Sequence, residues 1–289
     1  MIIPTKKLHN GFEMPVFGLG TWMMDGDMVR NPQNDDETDI QAIRNAIDNG
    51  ITHIDTAQNY AQGHAEELVG KAIKNYEREK LFIVTKLHKA NLAYKDVLSS
   101  FADSLQRLNS SYVDLLLIHS PNLDIPLKDT ISAMNKLVTN GSVKYIGVSN
   151  FALPRLKQAQ ELSKYPIVTN QVHYNLIYRE PERTGLLEYC QQNDVILTAW
   201  RPLQKGVLLE KETEIVNEMC RKYQKTPAQI AINWLTSQKN VVTLSKMENQ
   251  QHLEENLGAI GWNLSDSDTV RLDKDFPNQQ DVSDRVPLV

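Results

Sequence analysis

Val113-Asp114-Leu115-Leu116-Leu117-Ile118 is an apolar run broken by a single polar residue, and it reads as a strand buried on both faces. Upstream, Leu98, Phe101, Leu105 and Leu108 recur at i, i+3, i+7 and i+10. That spacing gives the apolar stripe of an amphipathic helix able to cover such a sheet. Downstream, Asn140-Gly141 ends a helical pattern just before the next β-rich run, as expected where a residue past a helix end turns left-handed.

The same alternation extends in both directions. Strands are expected at Val16–Gly20, Thr52–Asp55, Leu81–Lys86, Val113–His119, Lys144–Ser149, Ile167–Val172, Val195–Trp200 and Val241–Leu244, with helix-period segments between them. Strand and helix in strict alternation indicate a parallel sheet with helical crossovers. Eight such pairs within 289 residues fit a (β/α)8 TIM barrel, read as one domain over residues 1–289. A doubly wound open sheet needs a glycine fingerprint after its first strand, and Gly18-Leu19-Gly20-Thr21-Trp22-Met23 lacks the third glycine. Asn49-Gly50 is a second helix stop, and Thr226-Pro227-Ala228-Gln229 reads as a capping box. Asn10-Gly11, between Lys6–His9 and Phe12–Pro15, predicts a type I′ hairpin closing the bottom of the barrel.

Composition narrows the class. The chain is 41% hydrophobic and 23% charged with a net charge of -5, which suits a soluble globular protein and offers no basic tract for nucleic acid. No apolar run is long enough to cross a membrane, so the expected location is the cytoplasm. Cys190 and Cys220 form no C-x-x-C motif and are expected to be inert thiols. Nothing indicates an obligate interface, so a monomer or weak homo-oligomer is expected.

In a barrel, reactive groups gather at the C-terminal ends of the strands. Asp55 ends the second predicted strand, Tyr60 lies in the loop after it, Lys86 ends the third and His119 the fourth. Singly, each has a plain reading: a turn cap, a surface aromatic, a snorkelling lysine, a loop anchor. Together they make a proton-handling group, because a lysine and an aspartate near the barrel mouth are costly to desolvate unless paired.

Asp55-Thr56-Ala57-Gln58-Asn59-Tyr60, Val84-Thr85-Lys86, Leu117-Ile118-His119-Ser120-Pro121 and Gly147-Val148-Ser149-Asn150-Phe151 resemble, in order, the signatures of aldo-keto reductases. The likeness continues through Gly18-Leu19-Gly20-Thr21-Trp22, Asn170-Gln171-Val172-His173-Tyr174 and Glu255-Asn256-Leu257-Gly258. The resemblance implies reduction of an aldehyde or ketone by hydride from a nicotinamide, with no metal. Tyr60 would donate the proton, Lys86 would bring the phenol toward neutrality, Asp55 would hold Lys86, and a neutral His119 would orient the carbonyl. Trp22 would wall the substrate pocket together with His119, and Gln58, where relatives carry glutamate, would alter its polarity. His173 would line the same mouth, whereas Trp234, in a helical stripe with Ile230, reads as core.

For the cofactor, the resemblance implies that Ser149, Asn150 and Gln171 hold the carboxamide and that Trp200 stacks where a tyrosine is usual. Gly20, Thr21, Asp55 and Leu203 would line the same site, and Arg201 would reach the pyrophosphate or an acidic substrate group. Around the 2′-phosphate the matching positions carry Lys246, Met247 and His252, so only the lysine is kept, while Glu255 and Asn256 fall on adenine-binding positions. Methionine cannot bond phosphate and histidine is mostly neutral at pH 7. NADPH remains the expected cofactor, with NADH as a second one. Two other readings stand beside this: a non-catalytic nicotinamide-binding regulatory subunit on the same barrel, and a hydrolase or isomerase using Asp55 and His119.

Overall fold

The computed structural model describes residues 1–206 and 213–289. A two-stranded antiparallel sheet, β1 (Thr5–Lys7) and β2 (Glu13–Pro15), precedes eight further strands: β3 (Phe17–Gly20), β4 (His53–Asp55), β5 (Phe82–Leu87), β6 (Val113–Ile118), β7 (Val143–Ser149), β8 (Ile167–His173), β9 (Ile196–Trp200) and β10 (Val241–Ser245). These eight close into a barrel in sequence order, with β10 beside β3, and helices alternate with them. Every expected strand is present, its ends shifted by at most a residue or two. All of β6 is buried, as a strand lined on one side by the barrel interior and on the other by helices must be. Among the described residues no helix is long and apolar enough to cross a membrane.

The chain divides into two compact units, one of Met1–Ile2, Gly18–Asn170 and Val289, the other of Ile3–Phe17 and Gln171–Leu288. In the first, the helix Tyr94–Leu108 buries Val97, Phe101, Ser104 and Leu108. The predicted stripe is thus rotated slightly: Leu98 and Leu105 are only half-buried at its margin. Ser104 takes a core position because its hydroxyl accepts hydrogen bonds from Gln58 Nε2 (3.1 Å) and Arg107 Nη2 (3.2 Å). Gly18 is a packing glycine: a Cβ there would lie 2.4 Å from Nδ1 of the buried His53.

In the second unit the hairpin forms, but its turn is not type I′. Leu8–Phe12 separate the paired residues Lys7 and Glu13, and Gly11 (φ 88°) has a positive φ where Asn10 does not. Leu8 N–H donates to Phe12 O (2.9 Å) and Gly11 N–H to Leu8 O (3.1 Å), so the glycine closes a longer loop. Side-chain bonds favour this form: Asn10 Oδ1 accepts from Phe12 N (2.9 Å), and Asp194, just ahead of β9, accepts from His9 N (2.8 Å) and Asn10 N (3.0 Å). Met14, 1% exposed, lies 3.9 Å by its sulfur from the Thr198 hydroxyl of β9. The hairpin is therefore docked on β9 and the turn that leads into it.

The capping box at Thr226 and Gln229 opens the helix Pro227–Ser237, whose Trp234 is fully buried. Asn49-Gly50 and Asn140-Gly141 end their helices, with Gly50 at φ 99° and Gly141 at φ 82°. Cys190 is buried, and burial pushes its thiol up to about 12; Cys220 is half-buried, and both are free.

Candidate active site

Three strand ends and one tight turn assemble the quartet within the first unit. Asp55 and Lys86 lie in neighbouring strands, His119 follows Ile118 of β6, and Tyr60 opens a 3-10 turn, Tyr60–Gly63. Lys86 is fully buried, and its Nζ donates to Asp55 Oδ1 (2.5 Å), Thr56 O (2.8 Å) and Tyr60 Oη (3.2 Å). The ammonium also lies 4.8 Å from the Tyr60 ring centroid, and the Tyr60 and His119 rings meet edge-on at 5.5 Å. Three bonds use all three protons of the ammonium, so the buried cation is satisfied.

The electrostatics follow from burial and from that cation. Burial alone would pull Lys86 down, but Asp55 and Tyr60 together hold it above its ordinary value. Burial drives the Tyr60 phenol above its ordinary value of 10 and outweighs the opposing pull of Lys86. Lys86 thus pulls the phenol down, in the expected direction, but burial wins, and the hydroxyl is protonated at pH 7. Burial, then Lys86 and His88, push His119 well below 6.5, so its ring is neutral as expected. Its Nδ1 is buried with no hydrogen-bond partner among the described residues.

The turn bearing Tyr60 is strained, with Ala61 at φ 47° and Gln62 at φ 57°. It is tied down at Ala61 N–H, which donates to Asp27 O (2.9 Å). Asp27 also accepts from Trp22 Nε1 (2.6 Å), and Trp22 packs against Ala57, Tyr60 and Ala65. Trp22 is thus fixed beside Tyr60. Gln58 does not set pocket polarity: it is buried, bonded through Nε2 to Ser104, and its Oε1 accepts from His88 N (2.9 Å). It braces the loop between Asp55 and Tyr60, a role the sequence does not announce.

Gly20 ends β3, and Thr21, the next residue, donates from both N and Oγ1 to Asp55 O (2.9 and 3.1 Å). At the end of β7, Ser149 and Asn150 are buried, and Asn150 takes φ 61°. Asn150 Nδ2 donates to His119 O and Ser149 Oγ, both at 3.0 Å. Asn170, unassigned from the sequence, holds the same turn by donating to Phe151 O (2.8 Å).

The remaining cofactor positions lie in the second unit. Gln171 is buried in β8, and Trp200 ends β9. One face of Trp200 lies on His173, 4.3 Å away and 8° from parallel, and Tyr178 stacks on that histidine at 4.5 Å. His173, 2% exposed and bonded to Gln204 and Ser283 (2.8 Å each), is a backing layer for Trp200 rather than an open mouth residue. Arg201 (φ 58°) places its guanidinium 5.5 Å from the Trp200 centroid, and Leu203 lies in the turn after it. Lys246 is ion-paired with Glu248, and Met247 is buried. Asn249 caps the helix Gln250–Leu257 by accepting from His252 N (2.8 Å), leaving the His252 side chain exposed on its first turn. Asn256 is buried and donates to Ser245 Oγ (3.3 Å), with Glu255 half-buried beside it.

Comparison with known proteins agrees with this geometry. The sequence pattern of the aldo/keto reductase family matches residues 16–275. A glyoxal reductase of Bacillus subtilis (strain 168) is 36% identical over 93% of this chain and 91% of its own length. A thermostable aldo-keto reductase, Tm1743, solved with the inhibitor epalrestat, superimposes with a TM-score of 0.91 at 44% identity, covering 94% of this chain and 99% of that one. An aldo-keto reductase from Klebsiella pneumoniae solved with NADPH gives a TM-score of 0.85 at 31% identity over the whole of both chains. With these matches and the buried Asp55, Tyr60, Lys86 and neighbouring His119 in hand, the chain belongs to the aldo/keto reductase family.

Proposed function

We propose that this protein reduces small aldehydes, dicarbonyls such as glyoxal among them, to alcohols, with Tyr60 as the general acid and NADPH as the reductant. The observation that carries the reading is the 3.2 Å bond between Lys86 Nζ and Tyr60 Oη inside a buried pair with Asp55. NADPH supplies hydride when bound.

The residues do the rest. Tyr60, protonated at neutral pH, holds its proton where a carbonyl oxygen gains charge, and Lys86 opposes the negative charge left on the phenolate. His119, neutral and with Nδ1 as its buried nitrogen, offers Nε2 to the carbonyl oxygen without adding a competing cation. Trp22, fixed by Asp27, excludes water from the Tyr60 side.

Support for a dinucleotide comes from each unit separately. Ser149 and Asn150 present amide and hydroxyl groups at a strand end, suited to a carboxamide. Trp200 offers a flat face backed by His173, and Lys246 with the exposed His252 on a capped helix turn suits a phosphate. The paired Lys246 and buried Met247 support a reduced preference for NADPH over NADH. The relative with glyoxal in its name supports the substrate class. A cytoplasmic setting and a monomer or weak homo-oligomer complete the reading.

The test is NADPH oxidation with glyoxal, in the wild type and in Tyr60→Phe. The substitution should lower kcat by about 10²- to 10⁴-fold and leave NADPH binding by tryptophan fluorescence intact. Binding of NADPH with no turnover of any aldehyde would favour the regulatory-subunit reading. The rate should hold through pH 10 and fall only at still higher pH, because burial keeps on Tyr60 the proton it must give.

A further inference from the structure

Away from the quartet, a second polar cluster joins the loop after β3 to the start of two helices. Asp25 lies in that loop, Asp36 opens the helix Asp36–Asp48 and His64 opens the helix His64–Ile73. One ligand atom from each of the three comes within 4.8 Å of the others. We propose that Asp25, Asp36 and His64 form a divalent-cation site for zinc or a similar borderline metal, which fastens the loop after β3 against the helix His64–Ile73.

Burial and hydrogen bonding point to a cation. Asp25 is 1% exposed, and neither carboxylate oxygen accepts a hydrogen bond, a costly state for a buried carboxylate. Its charge faces His64 Nε2 at 3.7 Å and Arg30 Nε at 3.3 Å. His64 is 6% exposed, and both ring nitrogens face carboxylates: Nδ1 lies 2.6 Å from Glu67 Oε2 and Nε2 lies 2.9 Å from Asp36 Oδ2. A neutral ring has one N–H and satisfies one of these. An imidazolium could donate from both nitrogens, but a ring whose Nδ1–H alone donates to Glu67 turns its Nε2 lone pair toward Asp25 and Asp36, where a divalent cation takes the place of the second proton. An imidazole oriented through its far nitrogen by a carboxylate is the usual support for a metal-binding histidine.

The spacing agrees. Ligands about 2.1 Å from a tetrahedral zinc stand about 3.4 Å apart, and the Nε2 contacts of 2.9 and 3.7 Å straddle that value. Asn34 Nδ2 donates to Asp36 Oδ1 (3.2 Å) and Asp39 Oδ2 (2.9 Å), which steadies the second ligand. One imidazole and two carboxylates, without a thiolate, suit zinc, cobalt or manganese.

Arg30 and Lys71 are the competitors. Arg30 lies 3.3 Å from Asp25 and 3.8 Å from Asp36, and Lys71 Nζ lies 3.5 Å from Asp36. Both side chains are half exposed and can swing into solvent, which gives an ion its way in. The ion would act at the active site through two short links, since Asp27, two residues beyond Asp25, holds both Trp22 and Ala61.

The experiment is titration of tag-free, chelator-treated protein with zinc chloride by calorimetry and by thermal unfolding, with cobalt absorption as a readout of the ligand set. Expected are one saturable site, a rise of several degrees in unfolding temperature and a cobalt spectrum without thiolate bands. Asp25→Asn and His64→Gln should each weaken binding at least tenfold. Arg30→Gln should tighten it several-fold, because it removes a competing cation while keeping all three ligands. Absence of saturable binding in the wild type overturns the proposal, as does binding that survives Asp25→Asn and His64→Gln. Should those two variants fail to fold, an unchanged or weakened affinity in Arg30→Gln decides against it.

Discussion

Lys86 and Lys246 both stand at the end of a barrel strand, yet they live in opposite regimes. Lys86 is fully buried, and its three bonds go to partners set by strand register and one turn. Lys246 is a quarter exposed, beyond the last residue of β10, and takes Glu248 from the same loop. A buried charge has to be paired before the protein can fold around it, so its surroundings are fixed in advance. An exposed one exchanges a nearby carboxylate for a ligand phosphate at small cost. On the proposed function, the chemistry of the reaction would rest on rigid strands and the choice of cofactor on a loop.

Substitution of Lys86 should have the largest effect. Lys86→Met should abolish measurable aldehyde reduction and cost about 3–5 kcal/mol of stability, because the buried Asp55 would lose its ammonium. The double variant Asp55→Asn, Lys86→Met should regain most of that stability and none of the activity. A double variant as unstable as the single one, by denaturant midpoint, would show that the pair is not what Lys86 supplies to folding.

Asp268 sharpens the comparison as a mixed case: it is buried, while its partner Lys222 is half exposed. Burial pushes the Asp268 carboxyl up, but hydrogen bonds from Lys222, Tyr223 and Ser265 outweigh it and hold the group at about 2. The folded value lies below the unfolded one, so this stabilisation is full above pH 4 and disappears as pH falls through about 2. Asp268→Asn should cost about 2 kcal/mol at pH 7 and almost nothing at pH 2, measured by urea unfolding at each pH.

Smaller changes are expected around Lys246. Lys246→Met should leave the unfolding temperature alone and weaken NADPH about tenfold, the worth of one ion pair partly shielded from water, without affecting NADH. Glu248→Gln should tighten NADPH by up to about fivefold, since an exposed ion pair competes with less than about 1 kcal/mol. Equal effects on NADH and NADPH would remove Lys246 from the 2′-phosphate.

The same contrast explains what the sequence makes legible. Strands such as Val113–Ile118 are apolar on both faces, so their period survives in the letters, and Asp55, Lys86 and His119 follow from where the strands end, whereas Tyr60 lies in a turn and is legible only through its motif. Gln58, Ser104 and Asn170 are ordinary polar letters whose tasks arise only when distant segments meet, at separations of 46 residues for the first two and 19 for Asn170 and Phe151. His173 is legible as a strand residue but not as the layer behind Trp200, which depends on where Tyr178 and the Ser283 region return. The Asp25, Asp36 and His64 cluster has no ligand spacing to read, because it is brought together by a loop with left-handed residues at Met23 and Asp25.

The hairpin at the start of the chain carries a consequence for biosynthesis. His9 and Asn10 are fixed by Asp194, 185 and 184 residues later. This segment therefore leaves the ribosome well before its docking partner exists, with Phe12 and Met14 uncovered meanwhile. Contacts of such long range slow folding, and a growing chain of this protein should be a client for chaperones until β9 has emerged.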